Sequence, residues 1–254
     1  GLPARTDRTD LAFSFSRTET DGFSASAAGS EPDGSEARRA NLYLRHQFTD
    51  TFAAGLSALH IDSDAEFDEF GGDGTAPFDE FNTSEAHGAR AFAELATGAF
   101  DHELALSYFE SDRTSFSNGF ATPFEGERQR IDYRGSYDSG GIWSVNFGAD
   151  YTEEEDLNLA IDITGVQGEV LLAPTDAVDI ALSVRHDDHS EFSGEWSSRA
   201  ALAWRIQEDL ILRASASDGF RAPTLVQLDP FFGNPNFQPE TSESYDLGIE
   251  KRFE

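Results

Sequence analysis

Cysteine and methionine are both missing from the 254 residues, and basic side chains are scarce: 18 Lys and Arg stand against 48 Asp and Glu, a formal charge of -30. Without cysteine there is no disulfide framework, no thiol nucleophile and no Cys-based zinc site. A surface so anionic repels phosphate backbones, which excludes nucleic acid as a partner. No stretch approaches the roughly 20 apolar residues of a membrane-spanning helix. A barrel strand needs only about ten alternating residues, so the membrane itself is not excluded. Neither an initiating Met, a basic leader nor an apolar leader core opens the chain, and it is therefore expected to begin inside a longer precursor. What the chain does have is phenylalanine, 22 residues of it, and 38% hydrophobic residues overall, too many for a disordered segment.

Helical periodicity is poor, while period-two alternation recurs along the chain. Leu11, Phe13 and Phe15 alternate with small polar neighbours, and Trp143, Val145, Phe147, Ala149 and Tyr151 do the same against Ser144, Asn146, Gly148 and Asp150. Val178, Ile180, Leu182 and Val184, then Ala200, Leu202 and Trp204, then Leu210 and Leu212, and finally Tyr245, Leu247 and Ile249 continue the design. About twelve strands follow, over 8–19, 37–48, 51–61, 85–97, 101–111, 127–137, 142–152, 162–173, 177–187, 195–206, 209–217 and 241–253, each near the length of a tilted transmembrane strand.

The connections alternate in length. Short turns are expected near Thr49–Asp50, Gly98–Phe100, Asp138–Gly141, Pro174–Asp176 and Gln207–Asp209. Long acidic loops carrying Gly and Pro are expected at 20–36, 62–84, 112–126, 153–161, 188–194 and 218–240. Outer-membrane barrels have tight turns at one end and long loops at the other. A soluble sandwich alternates apolar and polar residues equally well, and pattern alone leaves both open. Neither yields an enzyme. Arg39, Arg45, Arg134, Arg185, Arg199 and Arg213 fall within strands, on what would be a wet lumen in a wide barrel or a solvated face in a sandwich. Trp143, Tyr151, Trp196 and Trp204 near strand ends suit either interfacial girdles or an ordinary core.

Residues 215–253 read SASDGFRAPTLVQLDPFFGNPNFQPETSESYDLGIEKRF. Gly219, Phe220, Arg221, Ala222, Pro223, Thr224 and Leu225, then Gly233, Asn234, Pro235, Pro239 and Glu240, then Ser242, Asp246 and Gly248 follow one another in an order that resembles TonB-dependent outer-membrane receptors. Pro223, Pro230, Pro235 and Pro239 also exclude a paired strand interior, so the stretch is expected to be a structured loop between two strands. Arg185-His186-Asp187-Asp188-His189-Ser190-Glu191-Phe192 resembles a strand and loop of the same family, most of all in its vitamin B12 (cobalamin) transporter branch. Thr20-Asp21-Gly22-Phe23, and Arg39, Asn41 and Leu42 leading to Phe48-Thr49-Asp50, fit more loosely.

The resemblance implies an all-β, antiparallel transmembrane barrel segment, with residues 1–254 supplying part of one barrel domain. About twelve of its 22 strands would be present, from about the third to about the fourteenth, with the plug domain and the closing strands outside this stretch. It implies uptake of a scarce nutrient across the outer membrane of a Gram-negative bacterium, without covalent chemistry. Cobalamin is the implied cargo, with a ferric siderophore as the alternative within the family. A non-transporting, calcium-binding acidic β-protein at the cell surface is the alternative outside it. The partners implied are TonB with its inner-membrane complex, reached through the plug, the nutrient, and outer-membrane lipid.

The acidic loops are the candidate site. Asp62, Asp64, Glu66, Asp68, Glu69, Asp73, Asp79 and Glu80 crowd one loop, and Asp21, Glu31 and Asp33 another. Carboxylates so dense need solvation or a cation, and calcium accepts six to eight oxygen ligands. The cobalamin branch implies calcium on Asp68 and Asp79, within the Phe-Asp-Glu-Phe quartets at 67–70 and 78–81, and on Asp21, Glu31 and Asp33. A solvated acidic surface is the alternative. Asp62-Ser63-Asp64-Ala65-Glu66 starts like an EF-hand loop, but Phe67 stands where the sharp-turn glycine belongs. His186-Asp187-Asp188-His189 offers transition-metal donors, although its expected exposed loop position favours a plain turn. No nucleophile elbow or phosphate loop is present. Phe116, Phe120, Phe124, Phe231, Phe232 and Phe237 are expected in loops, to stack on a ligand or to pack the loops together.

Overall fold

The computed structural model describes residues 2–24, 32–68, 80–117, 119–231 and 233–253. Thirteen strands hydrogen-bond in chain order, each beside its sequence neighbour. They are β1 (Leu2–Arg5), β2 (Thr9–Thr20), β3 (Ser35–Gln47), β4 (Phe52–Glu66), β5 (Phe81–Thr97), β6 (Phe100–Ser117), β7 (Phe120–Asp138), β8 (Trp143–Asp156), β9 (Ala160–Thr175), β10 (Val178–His189), β11 (Glu195–Gln207), β12 (Leu210–Arg221) and β13 (Glu240–Lys251). A single turn of helix, α1 (Leu225–Leu228), interrupts the connection before β13. The chain divides into two compact units, Gly1–Ala93 with Leu106–Gln129 and Glu154–Asn158, and Glu94–Ala105 with Arg130–Glu153 and Leu159–Glu254.

In the first unit the register sorts the side chains by chemistry. On one face Leu11 pairs with Leu44 and Phe13 with Leu42, and Leu44 and Leu42 pair in turn with Leu56 and Ala58. Phe15, Ala40 and His60 form the last rung of that apolar face. One rung further, Arg17, Arg38 and Asp62 lie abreast. The opposite face carries Ser14, Asn41 and Leu59, and Asn41 Nδ2 donates to Ser14 Oγ at 3.3 Å. A one-residue slip would exchange the two faces, so the alternation itself pins the register.

The second unit repeats the scheme. Leu172, Ile180, Leu202, Ala214 and Leu247 share one apolar rung, and Val178, Trp204, Leu212 and Ile249 another. On the other face Glu169, Ser183, Arg199, Ser217 and Ser244 lie in line. Large apolar side chains stay uncovered: Phe15 is 61% exposed and Leu106 57%, while no large side chain among the described residues is fully buried. Trp204, Leu247 and Ile249 of the second unit are exposed in the same way. Water is a poor solvent for them.

The twelve strands read from the sequence are all present as β2–β13, and a short strand, β1, precedes them. The structure corrects four expectations, the first being the long loop at 153–161: β8 and β9 leave only 157–159 between them. Residues 112–126 are not a long loop: β6 and β7 run on through them, leaving only 118–119 between. Contacts between distant residues extend this hairpin, with Phe81 stacked on Phe116 at 4.4 Å and the Arg113 guanidinium 4.3 Å over the Phe124 ring. Phe116, Phe120 and Phe124 are therefore strand residues. Gly219, Phe220 and Arg221 extend β12 rather than opening a loop, and Glu240 begins β13, pairing with Arg221. The loop between them starts only at Ala222, and its prolines lie between the strands as expected.

Candidate functional site

The acidic loop ends of the first unit meet around an open cleft lined by Thr20, Asp21, Gly34, Asp64 and Glu66. Glu66 ties two connections together: its N–H donates to the Gly34 carbonyl at 2.9 Å, and its Oε2 accepts from Gly34 N–H at 2.8 Å. Gly22 adopts a left-handed φ of 65°, and a Cβ there would lie 1.8 Å from the Asp33 carbonyl oxygen. Only glycine fits such a position. This close approach brings Asp33 against the segment that carries Asp21. From the next turn Ser24 Oγ donates to Asp68 Oδ2 at 3.1 Å.

Of the five residues expected to bind calcium, Asp21, Asp33 and Asp68 therefore lie in segments joined by direct contacts, while Glu31 and Asp79 lie outside the described residues. Asp64 and Glu66 line the same cleft as Asp21, and sequence reasoning counted them among the loop acids without placing them in the site. The signal was available, since both sit in the alternating run leading into the loop. Arg17 offsets part of the charge, reaching Glu36 at 2.8 Å and Glu19 at 2.9 Å. The donors are carboxylate and carbonyl oxygens, which suits a hard cation and not a thiophilic or imidazole-seeking one.

The 222–239 connection is folded on itself. Thr224 caps α1, its Oγ1 accepting from Gln227 N–H at 3.3 Å, while Gln227 Oε1 accepts from Thr224 N–H at 3.0 Å, a reciprocal capping box. Pro223, Leu228 and Asp229 are buried. Asn234 N–H donates to the Gln227 carbonyl at 2.7 Å, and a Cβ on Gly233 would stand 2.3 Å from that same oxygen. Asn234 Oδ1 accepts from Asn236 N–H at 3.0 Å, just after Pro235. Arg221 and Glu240 close the base of the loop as a 3.7 Å ion pair, with Ala222 following the first and Pro239 preceding the second. The motif residues thus shape a loop. Phe231 and Phe237 are exposed on it, and Phe232 lies outside the described residues.

A second polar constellation was missed in part. Arg185 lies over Gly165, where a Cβ would meet its Nη2 at 2.0 Å, and donates to Asp150 at 2.8 Å, to Asp187 at 2.6 Å and to Gln167 at 3.3 Å. Arg130 reaches Asp150 from the other side at 3.3 Å. His186-Asp187-Asp188-His189 belongs to β10 and not to a turn, so its two histidines face opposite sides of the strand. His186 stacks on Trp196 with ring centroids 4.5 Å apart, while His189 Nδ1 accepts from Glu191 N–H at 3.1 Å.

Up-and-down antiparallel strands, an uncovered apolar face, a charged opposite face and long loops that carry the polar motifs define a transmembrane β-barrel wall of the outer-membrane type. Residues 2–254 match the family described as TonB dependent receptor-like, beta-barrel, and the chain belongs to it. Family membership settles the choice between lipid-facing barrel and soluble sandwich for the former. Receptors of this family move cargo and are not enzymes.

Among curated relatives, the chain is 25% identical over 245 residues to the vitamin B12 transporter BtuB of Photobacterium profundum, covering 90% of this chain and 39% of that protein. It is 26% identical over 264 residues to BtuB of Vibrio vulnificus, covering 96% and 41%. Among solved structures it superposes on the siderophore receptor PirA from Acinetobacter baumannii with a TM-score of 0.85 at 14% identity, over 97% of this chain and 46% of that one. A ferric enterobactin receptor (PfeA) mutant from Pseudomonas aeruginosa gives 0.80, also at 14% identity, over 98% and 47%. The chain spans about two fifths of the length of the curated relatives it matches. At such low identity the structural likenesses speak to fold alone.

Proposed function

We propose that this chain forms the central wall of an outer-membrane transporter that captures cobalamin and imports it with energy delivered through TonB. The observation that carries the reading is the alignment with vitamin B12 transporters over nearly the whole chain, at 90% and 96% coverage. The joined acidic loop ends of the first unit and the folded 222–239 loop of the second each offer polar surface for contact with a large nutrient. Asp21, Asp33 and Asp68, with Glu31 and Asp79, hold calcium in this proposal. The ion would neutralise the crowded carboxylates and fix the loops for the cargo. TonB and its inner-membrane complex act through a plug domain contributed by the rest of the protein.

The test is direct. The full-length protein, expressed in a Gram-negative strain lacking its own cobalamin receptor, should restore growth on cobalamin only when TonB is present. Its membranes should bind labelled cyanocobalamin more tightly with calcium than with chelator, and Asp68→Ala or Asp79→Ala should erase that difference. Binding of a ferric siderophore, with no cobalamin binding in either condition, overturns the proposal.

A further inference from the structure

Away from the loop ends, one group of three side chains among the described residues carries nitrogen-donor metal chemistry: His60 on β4, with Glu85 and His87 on β5. A ligand atom from each lies within 4.8 Å of the other two. The imidazoles stack with centroids 4.9 Å apart and an interplanar angle of 24°. Their Nδ1 atoms are 3.2 Å apart, and His87 Nε2 stands 3.2 Å from Glu85 Oε1.

We infer that His60 and His87, oriented by Glu85, form a binding site for a divalent transition-metal ion of the zinc class on the outward wall of β4 and β5. Two facing Nδ1 atoms cannot both carry protons at this distance; one donates and the other accepts. The Glu85 carboxylate decides which. By accepting from His87 Nε2–H it leaves the His87 Nδ1 lone pair to accept from His60 Nδ1–H, the arrangement in which a carboxylate fixes a metal-binding imidazole; on metal binding the His60 proton moves to Nε2 and both Nδ1 lone pairs face the ion. Two nitrogens bound to one tetrahedral zinc at about 2.0–2.1 Å stand roughly 3.3 Å apart, close to the separation already present. Imidazole donors favour zinc, copper(II) or nickel over calcium, which separates this site chemically from the acidic loops.

The position suits an ion that arrives from water. His60 lies on the last rung of the apolar face, and the next rung carries Arg38 and Asp62. That charge marks the level where hydrocarbon ends and headgroups begin. The Glu85 and His87 side chains are 56% and 48% exposed, which leaves room for water to complete the coordination. Because β4 and β5 flank the connection at 67–80, a bound ion would staple the stem of an acidic loop.

The experiment uses the full-length receptor, purified in detergent, stripped with chelator and titrated with zinc chloride in a calorimeter without cargo. One zinc site is expected that His60→Ala/His87→Ala removes and that Glu85→Gln weakens about 10- to 100-fold. Calcium should not compete, and acid should weaken binding because protons compete for the imidazole nitrogens. Zinc should also raise the thermal midpoint of the wild type but not that of the double variant. Asp68→Ala should leave the zinc site untouched, so the fate of the cargo reading has no bearing on the outcome. Heat-modifiable migration in gels checks that each variant is folded. Equal zinc binding by the folded wild type and double variant overturns the inference, as does an affinity for calcium that matches that for zinc.

Discussion

Arg185 and Asp150 meet as a two-pronged ion pair, Nη1 to Oδ1 at 2.8 Å and Nη2 to Oδ2 at 3.2 Å. Both Asp150 and Asp187, which shares the guanidinium, are only 8% exposed. Removing Arg185 leaves Asp187 without its partner while Arg130 still reaches Asp150, which places the cost at the low end of the range for a broken buried pair, about 3 kcal/mol. Arg185→Met should therefore lower the urea midpoint of the folded receptor in detergent by a corresponding amount. Arg185→Lys should recover only part of the loss, because an ammonium cannot make the two-pronged contact. A wild-type midpoint in Arg185→Met would mean that water, not the guanidinium, satisfies these carboxylates.

Trp196 and Trp204 project from the same apolar face of β11, pairing with His186 and Val178 respectively. Eight residues of strand span about 26 Å, which at a tilt of about 35–45° is roughly 20 Å along the membrane normal, most of the roughly 25 Å height of a barrel's apolar band. The two indoles should sit at opposite headgroup levels, with Leu202 between them and nearer Trp204. In receptors reconstituted with brominated lipids, each tryptophan alone should be quenched most by bromines near the headgroups. Leu202→Trp, in a background without the other tryptophans, should respond to bromines deeper in the chains. Efficient quenching of that buried-depth probe by aqueous iodide would remove lipid from this face.

Much of this architecture was legible because a strand facing lipid on one side and polar surroundings on the other must alternate, and β2, β8, β10 and β11 do. Arg185 and Asp187 could be paired from their i, i+2 spacing alone. Asp150 could not, because its approach depends on Gly165 leaving the space the guanidinium fills. Residues 112–126 misled for a related reason. Their Gly, Pro and polar content reads as loop, and the Phe81–Phe116 stack that holds the hairpin joins residues far apart in sequence. His60 and His87 stayed invisible on the same ground. In the acidic loops, composition pointed to a crowd of carboxylates and the family resemblance to Asp21, Asp33 and Asp68 with Glu31 and Asp79, while the contacts that tie the described segments together run through Gly22, Ser24, Gly34 and Glu66.

Gly233 tests whether the shape of the 222–239 loop matters for cargo. Its missing Cβ would stand 2.3 Å from the Gln227 carbonyl oxygen, so Gly233→Ala must push the chain away from α1. Overpacking of this kind costs about 1–3 kcal/mol locally. Cyanocobalamin binding should weaken while the urea midpoint of the barrel holds, since the strain is confined to a connection. Gly248→Ala, with nothing within 4 Å of its Cβ, is the silent control. Unchanged binding in Gly233→Ala would take this loop out of the cargo site.

At the short-turn end, Lys251 Nζ donates to Asp209 Oδ2, and that hydrogen bond, ahead of the simple charge attraction, holds the Asp209 carboxyl below its ordinary pKa. The sign of the consequence follows. A carboxylate with a lowered folded pKa contributes stability that is present above its unfolded value, about 3.9, and lost as pH falls through the folded value. The effect is modest, because the Asp209 side chain is 45% exposed and solvent screens the pair. Asp209→Asn should therefore lower the thermal midpoint slightly at neutral pH, and the gap from wild type should close as the pH is taken below that of an unperturbed aspartate. Added salt should narrow the same gap. A difference that persists unchanged into acid would show that Asp209 acts through the turn backbone, where its carbonyl accepts from Arg252 N–H at 2.9 Å, and not through its charge.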